Sequence, residues 1–158
     1  MRLRSSSRNT PIIRLVTIDT PGVRTPREVM ELTGPVLEAA GSTNEPPRAV
    51  RSSGVEPWLR SVPADDLAAT VATEHAALLE RWAGGSVGVV APVERVADLA
   101  AALGPDAIVM SATQAKGLEW DAALVVDPDG IVAEPRGWNG LYVALTRCTQ
   151  ELGRVEIA

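Results

Sequence analysis

Short apolar runs and longer stretches with a helical repeat alternate along this chain. Ile12 to Ile18 (IIRLVTI) is β-branched and apolar and predicts a strand. Asp19-Thr20-Pro21-Gly22 is turn chemistry. Thr25-Pro26 then predicts a helix start, with Thr25 as N-cap, Pro26 at the first position and Glu28 in the first turn. Val29, Met30, Leu32, Val36 and Leu37 share one face of that helix, and Pro35 predicts a kink or break. Residues 41–63, rich in Gly, Pro and Ser, read as an ordered connector anchored by Val50, Val55 and Trp58. Ala64 to Ala83 carries Leu67, Val71, His75, Leu78, Leu79 and Trp82 at helical spacing, and Gly84-Gly85 ends it. Ser86 to Ala91 predicts a buried strand, and Pro92 to Leu103 a helix stopped by Gly104-Pro105. Ala107 to Met110 and Ala122 to Val126 predict further strands, with a turn at Asp127 to Gly130. Gly140 to Gln150 predicts a short helix and Gly153 to Ile157 a last strand.

Strands alternating with helices predict an α/β fold with a parallel sheet and helices on both faces. Residues 1–11 read as a flexible tail and residues 12–158 as a single domain. Ligands of such sheets gather beyond the carboxyl ends of the strands, so the loop after Ala107–Met110 is the first candidate site.

Composition narrows the chemistry. One Cys and one His among 158 residues exclude a disulfide framework and a Cys- or His-pair metal site. No apolar run approaches the roughly 20 residues that span a bilayer, which predicts a cytoplasmic domain with no membrane partner. The net charge of −5 argues against strong autonomous DNA binding. The charge is uneven: residues 1–60 hold nine Arg against six acidic residues, and residues 61–158 hold six basic against fourteen acidic. The basic first third suits phosphates; the acidic remainder suits solvent or a protein.

Fourteen of the cations are Arg, and Lys116 is the one Lys. It lies in SATQAKGLEWDAALVVDP, residues 111–128. Gly117 lets a backbone approach a ligand closely, Glu119 can accept from ribose hydroxyls, and Ser111, Thr113 and Gln114 can donate to phosphates. In GLYVALTRCTQEL, residues 140–152, Leu141, Ala144, Leu145 and Cys148 form an apolar stripe that leaves Arg147 on another face. An Arg projected from a helix near the sheet's carboxyl edge can stabilise phosphoryl charge; the bland alternative is a surface pair with Glu151 at i+4. Trp120 is the best candidate among four Trp for stacking a base. Asp127 and Asp129 suit a turn better than a metal.

AKGLEWD followed some 20 residues later by LYVALTR resembles motifs V and VI of superfamily 1 helicases of the UvrD/Rep type. VRTPREVMEL, residues 23–32, is similar to their motif IV segment, with Gly22-Val23 where they often carry Asn-Tyr. PPRAVRSSGVEPW, residues 46–58, resembles a connector of the HelD and helicase IV branch. The resemblance implies a RecA-like fold, the 2A half of a motor. It implies that Arg24 and Arg147 reach the γ-phosphate of ATP, with Arg147 the catalytic group, and that Gly117 and Glu119 lie against the nucleotide. It implies that Ser111 and Thr113 touch the nucleic-acid backbone; Lys116, between that surface and the nucleotide, and Trp120, as a stacking face, complete the candidate nucleic-acid residues. Leu103 to Ala107 leaves no room for a 2B insertion.

No GxxxxGK[ST] exists, because Lys116 is preceded by Ser-Ala-Thr-Gln-Ala. ATP and Mg are therefore expected only together with a Walker A-bearing 1A domain, on the same or a longer chain, and the isolated chain is expected to bind neither and to hydrolyse nothing. Single-stranded or duplex DNA is the expected track. The alternative is a non-catalytic interaction module, HelD-like, with RNA polymerase as its partner.

Overall fold

A computed structural model describes residues 25–41 and 52–158. The predicted strand at residues 12–18, the tail, Arg24 and most of the connector lie outside them. The chain runs through helices α1 (Arg27–Met30) and α2 (Thr33–Ala39), strand β1 (Trp58–Val62), a short 3-10 turn (Ala64–Asp66), and α3 (Leu67–Arg81). It continues through β2 (Val87–Val90), α4 (Val93–Leu103), β3 (Ile108–Met110), α5 (Ala112–Ala115), β4 (Trp120–Val126), α6 (Pro128–Val132), α7 (Gly137–Leu145) and β5 (Cys148–Ile157). The five strands form one sheet in the order β1-β5-β4-β2-β3, and every pair is parallel.

The central strands β2 and β4 are apolar on both sides because helices cover both. In β4, Ala123 and Val125 face a cluster with Val29, Val36, Ala112, Ala115, Ile131, Leu141 and Leu145, from α1, α2, α5, α6 and α7. Ala122, Leu124 and Val126 face Leu67, Val71, Leu78 and Leu99, from α3 and α4. Each face seats an indole on a strand glycine. A Cβ at Gly88 would stand 2.2 Å from the Trp120 ring, and one at Gly153 would stand 2.2 Å from the Trp58 ring.

Several boundaries differ from expectation. Thr25 is not the N-cap; Pro26 is, without a side-chain cap bond. The predicted break comes at Glu31–Leu32, where α1 ends and the Thr33 hydroxyl donates to the Met30 carbonyl at 2.7 Å. Pro35 sits in the first turn of α2, where its missing N–H costs nothing. The Asp127 turn opens α6 instead: Asp127 adopts φ 52°, accepts from the Gly130 N–H at 3.2 Å and pairs with Arg95 at 2.9 Å. The helix predicted through Gln150 stops at Leu145, and β5 begins at Cys148 rather than Gly153. The Thr146 hydroxyl turns back to the Tyr142 carbonyl at 2.9 Å, competing with helix continuation as such hydroxyls do. Of the connector, Ser52 to Gly54 grip α1. Glu28 accepts from the Ser52 hydroxyl, from the Gly54 N–H at 2.9 Å and from the Ser53 N–H at 3.2 Å. These bonds, the Ser52 hydroxyl first, hold the Glu28 carboxyl down to about 2.

Candidate functional site

Parallel strands give the sheet one carboxyl edge and one amino edge, and the candidate residues divide between them. Ser111 follows β3 at the carboxyl edge. It caps α5 with a full capping box: its hydroxyl accepts from the Gln114 N–H at 3.3 Å, and the Gln114 amide oxygen accepts from the Ser111 N–H at 3.0 Å. Ser111 is thereby buried while Thr113 is exposed. One helical turn later Lys116 ends α5, exposed.

Gly117, Leu118 and Glu119 then lead into β4 at its amino end. All three are exposed. Gly117 takes φ 85°, a conformation that only glycine adopts cheaply, and nothing lies within 4 Å of where its Cβ would be. Its backbone is therefore open to close approach.

Arg147 lies at this same amino edge, not beyond a carboxyl edge and not on a helix. Trp120 pairs with Cys148 in register, and the Trp120 N–H donates to the Arg147 carbonyl at 2.9 Å. Arg147 follows the C-cap of α7 and is 8% exposed. Its Nε donates to the Val143 carbonyl at 3.0 Å, one terminal nitrogen to the Leu118 carbonyl at 3.4 Å, and the other to the Thr146 hydroxyl at 3.2 Å. The bond to Leu118 brings the two sequence stretches together at one corner. The expected helical pair with Glu151 does not form. Glu151 lies in β5 and accepts from Trp58, Trp82 and both an Nε and a terminal nitrogen of Arg81, at 2.7 to 3.1 Å.

Trp120 is 6% exposed and packed in the core over Gly88. An indole so covered offers no face to a base, so burial replaces the stacking role expected for it. Cys148 is buried at 1%. Arg24 lies just before the described residues. The corner also holds Tyr142, which the sequence did not single out, and Thr25, which it offered only as an N-cap. Thr25, 1% exposed, donates from its hydroxyl to the Thr146 carbonyl at 3.1 Å. Burial raises the Tyr142 hydroxyl above its usual range, and the charge of Arg147 opposes that rise.

A separate recess of about 450 Å³ lies between α3 and α4 at the amino ends of β2 and β3, lined by His75, Leu79, Leu103 and Ile108 among others. None of the motif residues lines it. Among the described residues no three His, Cys, Asp or Glu side chains group as metal ligands, and no helix is long and apolar enough to cross a membrane.

No family model matches this chain, and no curated protein matches it. Its fold has a solved counterpart in the crystal structure of the C-terminal domain of a possible DNA helicase from Lactobacillus plantarum WCFS1. The two agree with a TM-score of 0.63 at 17% identity, over 85% of this chain and 87% of that one. The fold is RecA-like α/β. In this RecA-like domain the sheet carries no Walker A loop of its own, since the sequence contains none.

Proposed function

We propose that the chain is the C-terminal, 2A-like half of an ATP-driven superfamily 1 DNA helicase or translocase. The observation that carries this reading is the corner at which the Arg147 guanidinium meets the Gly117–Glu119 loop through the Leu118 carbonyl. The two stretches that resemble motifs V and VI thus converge in space, within a fold shared with the C-terminal domain of a possible DNA helicase.

The residues of that corner fit one half of a nucleotide site. Glu119 offers an exposed carboxylate to hydroxyl donors, and Gly117 leaves its backbone uncovered. Arg147 supplies five N–H donors whose charge stays fixed at any working pH. ATP with Mg, when bound, brings the transferable phosphoryl group, and a Walker A domain brings the Lys and the Mg ligands. This chain's part is positioning and charge stabilisation. Arg147 must exchange the Leu118 carbonyl for a phosphoryl oxygen, an exchange that a charged acceptor favours. The exposed Leu118 lies beside it, where a partner domain would dock. Thr113 and Lys116, both exposed, are the groups left to meet a nucleic-acid backbone.

The chain alone is expected to hydrolyse no ATP. Supplied with its Walker A domain it should turn over, and Arg147→Ala should lower kcat roughly 10³-fold or more. Turnover by the isolated chain, or an assembled motor indifferent to Arg147→Ala, would sink the reading. Capture of RNA polymerase without any nucleotide-dependent activity would favour the interaction module instead.

A further inference from the structure

Thr25, in the segment that follows Arg24, and Thr146, at the corner that carries Arg147, are 121 residues apart in sequence and joined by a buried bond from the Thr25 hydroxyl to the Thr146 carbonyl. Thr25 and Thr146 are each 1% exposed. Thr146 is the C-cap of α7 and its other groups are engaged. Its N–H donates to the Tyr142 and Val143 carbonyls at 3.2 Å, and its hydroxyl accepts from Arg147. The last carbonyls of a helix find no donor within it, and a buried carbonyl needs one from elsewhere. Thr25 provides it. Threonine is stiff at χ1, so its hydroxyl is aimed.

The Thr146 carbonyl belongs to the peptide that links Thr146 to Arg147. Whatever fixes that peptide plane also fixes the direction in which the Arg147 side chain leaves the backbone. We propose that Thr25 is a positioning residue for Arg147: its hydroxyl pins the Thr146–Arg147 peptide and so holds the guanidinium against the Val143 and Leu118 carbonyls. The segment after Arg24 and the Gly117–Glu119 loop then act on one corner, the first through Thr146 and the second through Leu118. The purpose of Arg147 rests on the helicase reading; the tie itself does not.

The test uses the full 158-residue chain and the Nε–H proton of Arg147, observed by NMR and assigned by its loss in Arg147→Lys. Thr25→Val keeps the shape and removes the donor; Thr25→Ala removes it again with less bulk. Both should speed exchange of that proton with solvent roughly tenfold, the scale of one buried hydrogen bond. Thr25→Ser, which keeps the hydroxyl, should restore slow exchange. The backbone amides of Leu124 and Val125 in β4 should not change. Unchanged Nε–H exchange in the donor-less variants overturns the proposal, and so does an acceleration shared equally by the β4 amides, which is global loosening. No nucleotide, DNA or partner domain enters the measurement. Its failure would remove the role of Thr25 and leave the motor reading, whereas a motor indifferent to Arg147→Ala would do the reverse.

Discussion

Arg147 and Glu151 stand four residues apart around the start of β5 and are 8% and 3% exposed, yet they are held in opposite ways. Glu151 points to the α3 side, where two indoles and Arg81 donate four hydrogen bonds to its two oxygens. Every one of those donors is a side chain, and the charge is answered by a guanidinium at 2.9 Å. The described bonds of Arg147 include those to the Val143 and Leu118 carbonyls and the Thr146 hydroxyl, neutral acceptors placed by chain turns. The first arrangement commits a carboxylate to the fold, tying β1 and α3 to β5. The second keeps a cation oriented by acceptors that an anion can outbid. Stability should therefore depend on Glu151, and position on Arg147.

The largest effect that can break this contrast is on folding stability. Glu151→Ala strips two indole N–H groups and Arg81 of their acceptor. Removing one partner of a buried pair costs about 3–5 kcal/mol, and the half-exposed Arg81 side chain, which can regain water, places this case near about 3 kcal/mol. Arg147→Met, which keeps the buried stem, should cost about 1–2 kcal/mol. Urea unfolding of both variants measures the difference, and equal losses would erase the distinction. The Glu151 variant should also perturb the emission of Trp58 and Trp82, and the Arg147 variant should not.

Next in size are the two glycines beneath indoles. Gly153→Ala pushes a methyl into the Trp58 ring on the Glu151 side, and Gly88→Ala pushes one into the Trp120 ring on the motif side. Overpacking of this kind costs about 1–3 kcal/mol. Moving Trp58 also moves an Nε–H that Glu151 accepts, so Gly153→Ala should sit at the upper end and Gly88→Ala at the lower. Gly117→Ala, at φ 85° with open space around it, should cost about 1–2 kcal/mol through backbone strain alone. A reversed order in thermal or urea unfolding would mean that the hydrogen-bonded indole is the freer of the two.

What the sequence disclosed follows the same division. The strands and helices of both faces are legible from apolar runs such as Val87 to Val90 and from the repeat Leu67, Val71, Leu78, because burial on two faces leaves few other patterns. The two motif stretches are legible as local strings. Their meeting is not, since it depends on β4 and β5 being neighbours with Trp120 opposite Cys148, a non-local pairing. The chain order likewise hides that Arg147 lies at the amino edge. A four-residue α5 carries the chain from the carboxyl end of β3 back to the start of β4, and the stripe Leu141, Ala144, Leu145, Cys148 runs past the true helix end. Thr25 looks like an N-cap in isolation; only the folded chain supplies the Thr146 carbonyl that takes its hydroxyl instead.

The smallest effect concerns pH and again separates the faces. His75 sits on α3, on the Glu151 side, 5% exposed, with its Nε2 lacking a hydrogen-bond partner among the described residues. Burial pushes its imidazole below the usual range, so the folded chain holds it neutral where the unfolded chain binds a proton. The contribution of His75 is therefore complete above its unfolded value of about 6.5 and is lost as pH falls through the lowered folded value. Glu151 acts lower. Burial pushes its carboxyl up, but the hydrogen bonds from Arg81, Trp58 and Trp82 outweigh this and hold it below the usual range. Its contribution is complete above its unfolded value of about 4.3 and is lost as pH falls further. Stability measured by urea unfolding should fall in two stages on acidification. His75→Leu should flatten the stage that begins at about pH 6.5 and leave the later one, while Glu151→Gln should shrink the later one, which Glu28 shares, and leave the first. Arg147→Met should flatten neither stage, because the described acceptors of its guanidinium do not titrate. A stage that vanished with Arg147→Met would show that the motif side carries a titrating lock of its own, and the contrast between the two sides would then fail.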